Sequence, residues 1–337
     1  MSSFAPVAVT RHFAEATTSA DLNAELGSLT GDMTGLGTMI EATPSPATFH
    51  MDPEKAKKYL ENIEKFRVLV IGRGNAGKMT ILQRVCNSVD EPDVFDEEGK
   101  KHGYHEIKHE LVFKSNPGFV FHDSPGFEAG SAKQFEEMKR FVMDHAVERT
   151  LKKHIHAIWY CIPMTDYCRT VTVAEQKFFN ECDTGHVPVV VLLTRADALN
   201  FVAMEELLDE GLEVEEAEER ATEREYLLLE KWQAHIKQIL DKCKFPPKIY
   251  LPLTKMHNES ADCTTLIQCT ASALNEEGLQ RLLLSTQQSS IGLCIEYAVH
   301  WVVAGMIEKV IKRGKSYDRK GFECCLLNWF PKHDVSV

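Results

Sequence analysis

Residues 66–85 read FRVLVIGRGNAGKMTILQRV, with Gly72, Gly77 and Lys78 at the spacing G-x-x-x-x-G-K. A glycine-rich turn between a strand and a helix lets backbone N–H groups curl around phosphate oxygens. The helix N-terminus adds a partial positive charge. Gly72, Arg73, Gly74, Asn75, Ala76, Gly77, Lys78, Met79 and Thr80 are therefore candidate phosphate contacts, with Lys78 as a point charge on the terminal phosphates. The residue after the lysine ordinarily carries the hydroxyl that binds Mg²⁺; here it is Met79, and Thr80 comes one place late. A thioether is a soft ligand and Mg²⁺ takes hard oxygen, so Met79 does not replace the hydroxyl. Thr80 lies about 100° further around a helix, where it is expected to meet the α-phosphate instead of the metal. Losing one charge-assisted contact costs about 1.5–3 kcal/mol, so nucleotide binding is expected to survive while hydrolysis is impaired.

Three further stretches bear on the same chemistry. In HDSPGFEAG, Asp123 and Gly126 form D-x-x-G at the end of an apolar run. Asp123 would hold Mg²⁺ through water and the Gly126 N–H would meet the γ-phosphate. In VVVLLTRAD, Thr194, Arg195 and Asp197 match a guanine-reading T-K-x-D pattern with Arg for Lys. A carboxylate there accepts the ring N–H and the exocyclic amine of guanine, whereas adenine would oppose a lone pair to it. Arg195 can lay its stem and planar head over the base. In CTASAL, Ser272 and Ala273 are placed where a loop N–H could meet the guanine carbonyl. Each stretch alone also reads as ordinary structure: a glycine turn, a strand-ending turn, a strand-capping Asp.

Two departures weaken the catalytic reading. No Thr lies between Thr80 and Thr150, so the switch threonine that grips Mg²⁺ is missing. The first switch, DEEGKKHGYHEIKHEL, is expected to be a mobile charged loop. Its His102, His105 and His109 lack a clear fourth ligand for zinc. Phe127 follows D-x-x-G where a water-orienting Gln would stand, so turnover should depend on borrowed groups, with Arg169 a candidate donor.

These residues need a scaffold of strand ends. The runs RVLVIG, GFVFHDS, HAIWYCIP and VPVVVLLT are continuously apolar, as in parallel strands covered on both faces. Helical patterns alternate with them: KMTILQRVC, SAKQFEEMKRFVMDHAVERTLKK and TVAEQKFFNEC, the last with a Thr172–Glu175 capping box. The order predicts a three-layer, doubly wound, mostly parallel α/β sheet with its ligand at the carboxyl ends of the strands. Residues 1–50 carry no apolar period and are expected to be a disordered tail. A leading helix is expected at 51–65, capped by Asp52 with Pro53 in its first turn. The nucleotide domain would span 66–290, with an acidic helical insertion at about 199–243 and a helical extension at 291–337.

The net charge of −12 excludes a general nucleic-acid binder. Ten cysteines without a C-x-x-C pair suit a reduced, cytoplasmic chain. Glu296 and His300 make the late apolar segment a half-buried helix, not a membrane span, and acylation at Cys324 or Cys325 is a minor alternative.

Taken together, the four motifs resemble those of the translation-factor-related class of G domains: Era-like, septin-like and AIG-like proteins. The chain is more closely similar to a fungal family of stand-alone G-domain proteins, whose members share strings close to NPGFVFHDSPGFEAGS and DCTTLIQCTASALNEEGLQ. The resemblance covers roughly residues 54–300. It implies a phosphate-loop NTPase G-domain fold with GTP/GDP and Mg²⁺ as cofactors, and in relatives with an apolar residue after D-x-x-G, a homodimer across the nucleotide face. The expectation is a slow GTPase switch acting on an effector protein. A nucleotide-binding pseudo-GTPase scaffold is the alternative, and an adenine-nucleotide enzyme stands against Asp197.

Overall fold

The structure is a computed structural model. It describes residues 65–104, 106–124, 126, 132–147, 154–169, 171–287, 290–303, 307 and 329–330, with only the backbone at 147 and 167–169. The chain divides into two units, residues 1–50 and 51–337, and every described residue lies in the second. The expected tail, the leading helix at 51–64, Phe127, His105 and Cys324–Cys325 lie outside the described residues, as does most of the extension beyond residue 303.

Eight described strands are β1 (Phe66–Gly72), β2 (Asp93–Phe95), β3 (Lys101–His102), β4 (Glu110–Phe113), β5 (Asn116–Asp123), β6 (Ala157–Pro163), β7 (Val189–Thr194) and β8 (Ile249–Pro252). They form one sheet in the order β3-β2-β4-β5-β1-β6-β7-β8. From β5 to β8 all neighbours are parallel, while β4, β2 and β3 complete the sheet antiparallel. The helices are α1 (Lys78–Val85), α2 (Ala132–Val147), α3 (Val173–Glu181), α4 (Leu199–Asp209), α5 (Val214–Leu240), α6 (Thr264–Ala273), α7 (Glu277–Thr286) and α8 (Ile291–Ala298). The fold is α/β with a mostly parallel sheet.

The continuous apolar runs are explained by two cores. Phe66, Val68 and Val70 of β1, with Trp159 of β6 and Leu192 of β7, meet α1, α6 and α7 through Ile81, Leu266 and Leu283. The alternate residues Leu69, Ile71, Tyr160 and Val191 face the other way, onto Phe141 of α2, Phe178 of α3 and Ile236 of α5. Side chains of successive strand residues point to opposite faces, so a strand covered on both needs apolar residues throughout. Each such Phe, Leu or Ile contributes about 1.5–3 kcal/mol by burial.

Two elements differ from the sequence expectation. The stretch 96–111 is not loop throughout: Lys101–His102 pairs back on β2 as a hairpin, with Asp96 Oδ1 accepting from the Glu98 and Lys100 N–H groups and Oδ2 lying 2.6 Å from His102 Nε2. An Asp that bonds its own following backbone fixes a turn regardless of surrounding charge. β8 went unread because Pro252 interrupts KIYLPLT; an edge strand tolerates proline at its end. The acidic stretch, expected to be helical, is a helix pair, α4 and α5, closed on Leu207, Ala217 and Ala221. Arg224 bridges Glu206 and Glu210 across it.

Candidate functional site

β1, β5, β7 and β8 all end on the same edge of the sheet, and the motif residues follow those ends. Val70 pairs with Asp123, and Gly72 pairs with Cys161 of β6. The chain then turns through residues 73–77 and enters α1, with Gly77 as its N-cap at φ 77. Gly72 must be glycine, because a Cβ there would stand 2.5 Å from the Cys161 carbonyl oxygen. Gly126 lies against the same turn: a Cβ on it would meet the Gly74 nitrogen at 2.4 Å. D-x-x-G therefore closes onto the glycine-rich turn, backbone to backbone.

Lys78 is buried and folds back over the turn, donating to the Arg73 carbonyl at 3.1 Å and lying 3.5 Å from that of Gly72. Asp123 is buried at the end of β5. Burial foremost pushes the Cys161 thiol up to about 12; the Asp123 carboxylate adds to this and Lys78 opposes it. Lys78 and Asp123 thus act on one buried thiol beneath the turn. Ser124 Oγ and Thr194 Oγ1 are buried hydroxyls without a hydrogen-bond partner among the described residues. Such groups ordinarily cost about 1–3 kcal/mol each, and a bound ligand or water is a natural partner.

The Arg73 side chain points away from this centre. Its guanidinium forms a two-pronged pair with Glu175, at 2.8 and 2.9 Å, and lies 3.7 Å from Asp166. Burial works against its charge, yet Glu175 and Asp166 raise its pKa overall. Glu175 also accepts from the Thr172 N–H while Thr172 Oγ1 accepts from the Glu175 N–H, the expected capping box of α3. One carboxylate therefore ties the turn to α3 and holds the Arg73 side chain there. Met79 is half-buried and packs against the apolar cluster below α1. Next to Asp123, burial depresses His122 to about 3, aided by Arg67 and His145, so its ring stays neutral.

A second cluster forms where β7 and β8 end. The Ala196 N–H donates to the Leu253 carbonyl, and the Lys255 N–H donates to Asp197 Oδ1 at 2.8 Å. Four described non-glycine residues have positive φ: Asn75, Asn87, Arg195 and Lys255. Asparagine tolerates that region, but Arg and Lys rarely enter it. These two flank Asp197.

Ser272 and Ala273 do not belong to this cluster, and the loop reading of CTASAL is corrected. They end α6, where Ser272 Oγ bonds the Gln268 carbonyl and Ala273 is buried. The alternation of Leu266, Ile267, Thr270 and Ala271 supplies a helix face for the core. The loop that does reach Asp197 is Thr254–Lys255–Met256. It carried no motif, and its sequence signal was its place directly after an apolar edge run.

The seven cysteines with described side chains, Cys86, Cys161, Cys182, Cys243, Cys263, Cys269 and Cys294, are free. No group of three or more metal-binding side chains occurs among the described residues, and none of the described helices is long and apolar enough to cross a membrane.

No family model matches the chain, and no curated protein matches it. One solved structure, described as a crystal structure of a mutation variant of SsGBP, aligns with a TM-score of 0.33 and 14% identity. The alignment covers 65% of this chain and 59% of that one, so the chain spans less than two thirds of its length. A likeness at that level carries no argument about fold or function.

Proposed function

We propose that the chain binds a guanine nucleoside di- or triphosphate, with phosphates in the 72–80 turn and the base between Arg195, Asp197 and Lys255. The observation that carries this reading is the Lys255 N–H beside the Asp197 carboxylate, at 2.8 Å. Guanine offers two adjacent donors and a carbonyl on one edge; a carboxylate next to an N–H is its complement. Adenine offers the reverse set, leaving both protein groups opposed. β1 and β7 are separated by β6 alone, so the two clusters stand about two inter-strand steps, roughly 10 Å, apart. One nucleotide can bridge them along the carboxyl edge. The parallel order β5-β1-β6-β7-β8 beside antiparallel β4 supports a G-domain architecture, in line with the motif resemblance.

Within this reading Lys78 leaves its carbonyl partners for the terminal phosphates, and the Gly126 N–H approaches them from D-x-x-G. Asp123 offers Mg²⁺ a buried hard oxygen, held through water; Met79, packed into the apolar cluster, offers none. When bound, the metal would neutralise charge on the phosphates. The Lys78 ammonium stabilises charge on the transferring phosphoryl group, so the chain acts as a slow cytoplasmic GTPase switch on an effector protein. A second copy across the nucleotide face is the source of groups the chain lacks. The packing of Met79 favours one further reading, a pseudo-GTPase that keeps its nucleotide without efficient turnover. Identifying the nucleotide that co-purifies, then titrating GTP and ATP, tests the proposal. Guanine nucleotide bound in preference to adenine is expected, and equal affinity for the two would sink it.

A further inference from the structure

We propose that Arg84, on the helix that follows the phosphate turn, is a positioning residue for guanine selection; the inference rests on the guanine reading above. Lys255, whose N–H bonds Asp197, adopts φ 52, a conformation that costs a non-glycine residue about 1 kcal/mol or more and sets the direction in which the loop leaves that bond. Such a conformation persists where its surroundings hold it. The residues that follow are held: Arg84 Nε donates to the Met256 carbonyl at 3.1 Å. Its terminal nitrogen lies 3.5 Å from the His257 carbonyl, at the outer limit of a hydrogen bond. The Met256 side chain is seated against the core beneath α1, and the Asn258 N–H closes the turn on the Lys255 carbonyl.

Arg84 is half-buried, and its partners on this loop are main-chain oxygens far away in sequence. It therefore fixes the path of the loop and not the rotamer of one side chain. A guanidinium does this well, because its planar fork spans two carbonyls and stays charged. The same helix begins at Lys78, so one rigid element carries both the phosphate charge and the clamp on the base-reading loop. The two halves of the nucleotide are gauged against each other through α1. Arg84 touches neither the base nor the phosphates.

The test compares GTP, ATP and inorganic tripolyphosphate by calorimetry on the native chain, Arg84→Ala and Arg84→Lys. With Arg84→Ala, GTP affinity should fall about tenfold, consistent with one charge-assisted contact. Tripolyphosphate affinity should hold, and the preference for GTP over ATP should shrink. Lys, a single-point donor, should restore part of the preference while keeping the fold, which guards against an Arg84→Ala chain that does not fold. An equal loss of GTP and tripolyphosphate would show that Arg84 merely props α1. No loss of either, or full discrimination in both variants, would equally overturn the role. Failure of the guanine reading itself is seen separately, as a native chain that binds tripolyphosphate but does not prefer GTP.

Discussion

In the proposed nucleotide site, the phosphate half and the base half are built in opposite ways. The phosphate half is one contiguous turn, Gly72 to Thr80, with Asp123 and Gly126 laid against it by the next parallel strand. The base half is assembled from residues far apart: Asp197 meets Lys255, and Arg84 holds the loop that follows. The first is shaped by glycines that allow close backbone approach. The second has no glycine at its two left-handed positions, Arg195 and Lys255, and relies on contacts to hold them. A short-range turn is specified by its own residue types, whereas a long-range subsite is specified by what surrounds it.

Breaking the base half should give the largest effect. In the proposed site Asp197→Asn turns one of the two carboxylate acceptors into a donor and takes the charge from the other, so both charge-assisted contacts are lost, worth about 3–6 kcal/mol at about 1.5–3 kcal/mol each. GTP affinity should drop by two to four orders of magnitude on that estimate, while xanthosine triphosphate, whose extra carbonyl suits an amide, should gain. Competition between the two triphosphates reads this directly. An unchanged preference for GTP would move base recognition away from Asp197.

Breaking the phosphate half should be smaller and blind to the base. Lys78→Ala removes one charge-assisted contact, so all nucleotides and tripolyphosphate should weaken together by about ten- to a hundredfold. A loss confined to guanine nucleotides would contradict the division of the site.

This division also explains what was legible in the sequence. The turn at 72–78, D-x-x-G and the strands beneath them were readable because spacing and apolar continuity dictate them locally. The position of Asp197, just past the end of an apolar strand, was readable for the same reason. Lys255 was not: β8 carries Pro252, and nothing in LTKM marks a left-handed residue. Ser272 and Ala273 attracted attention by composition, yet the helical apolar period of α6 outweighs it. The hairpin at 93–102 was hidden by its charge, although Asp96 supplies the turn chemistry. Arg73 fitted the phosphate turn by position, but its partner Glu175 comes from α3 and could not be seen in the motif.

Met79 sharpens the phosphate half further. Its side chain packs on the apolar cluster, so Met79→Thr gives up some packing and supplies a hydroxyl at the helix start. Mg²⁺ should then tighten GTP binding by about tenfold more than it does in the native chain. Hydrolysis should rise and stay slow, because Phe127 cannot orient water. Titrations with Mg²⁺ and with chelator on both proteins make the comparison. Strong metal dependence already present in the native chain would mean that another oxygen serves the metal.

The smallest effect is expected at Thr194, the last residue of β7. Its hydroxyl is buried and has no hydrogen-bond partner among the described residues, so no described protein group offsets its desolvation cost. Thr194→Val keeps the branched shape and deletes that hydroxyl. The melting temperature of the free chain should therefore stay level or rise by about a degree or two, the reverse of an ordinary core polar substitution. If the hydroxyl is completed by the bound nucleotide, the same change should weaken GTP about three- to tenfold, the value of one neutral hydrogen bond. Tripolyphosphate should be spared, since Thr194 leads directly into Arg195 and Asp197. A free chain that loses several degrees would assign the hydroxyl to the scaffold. Equal weakening of GTP and tripolyphosphate would place it with Lys78 instead, moving the boundary between the two halves one strand further across the sheet.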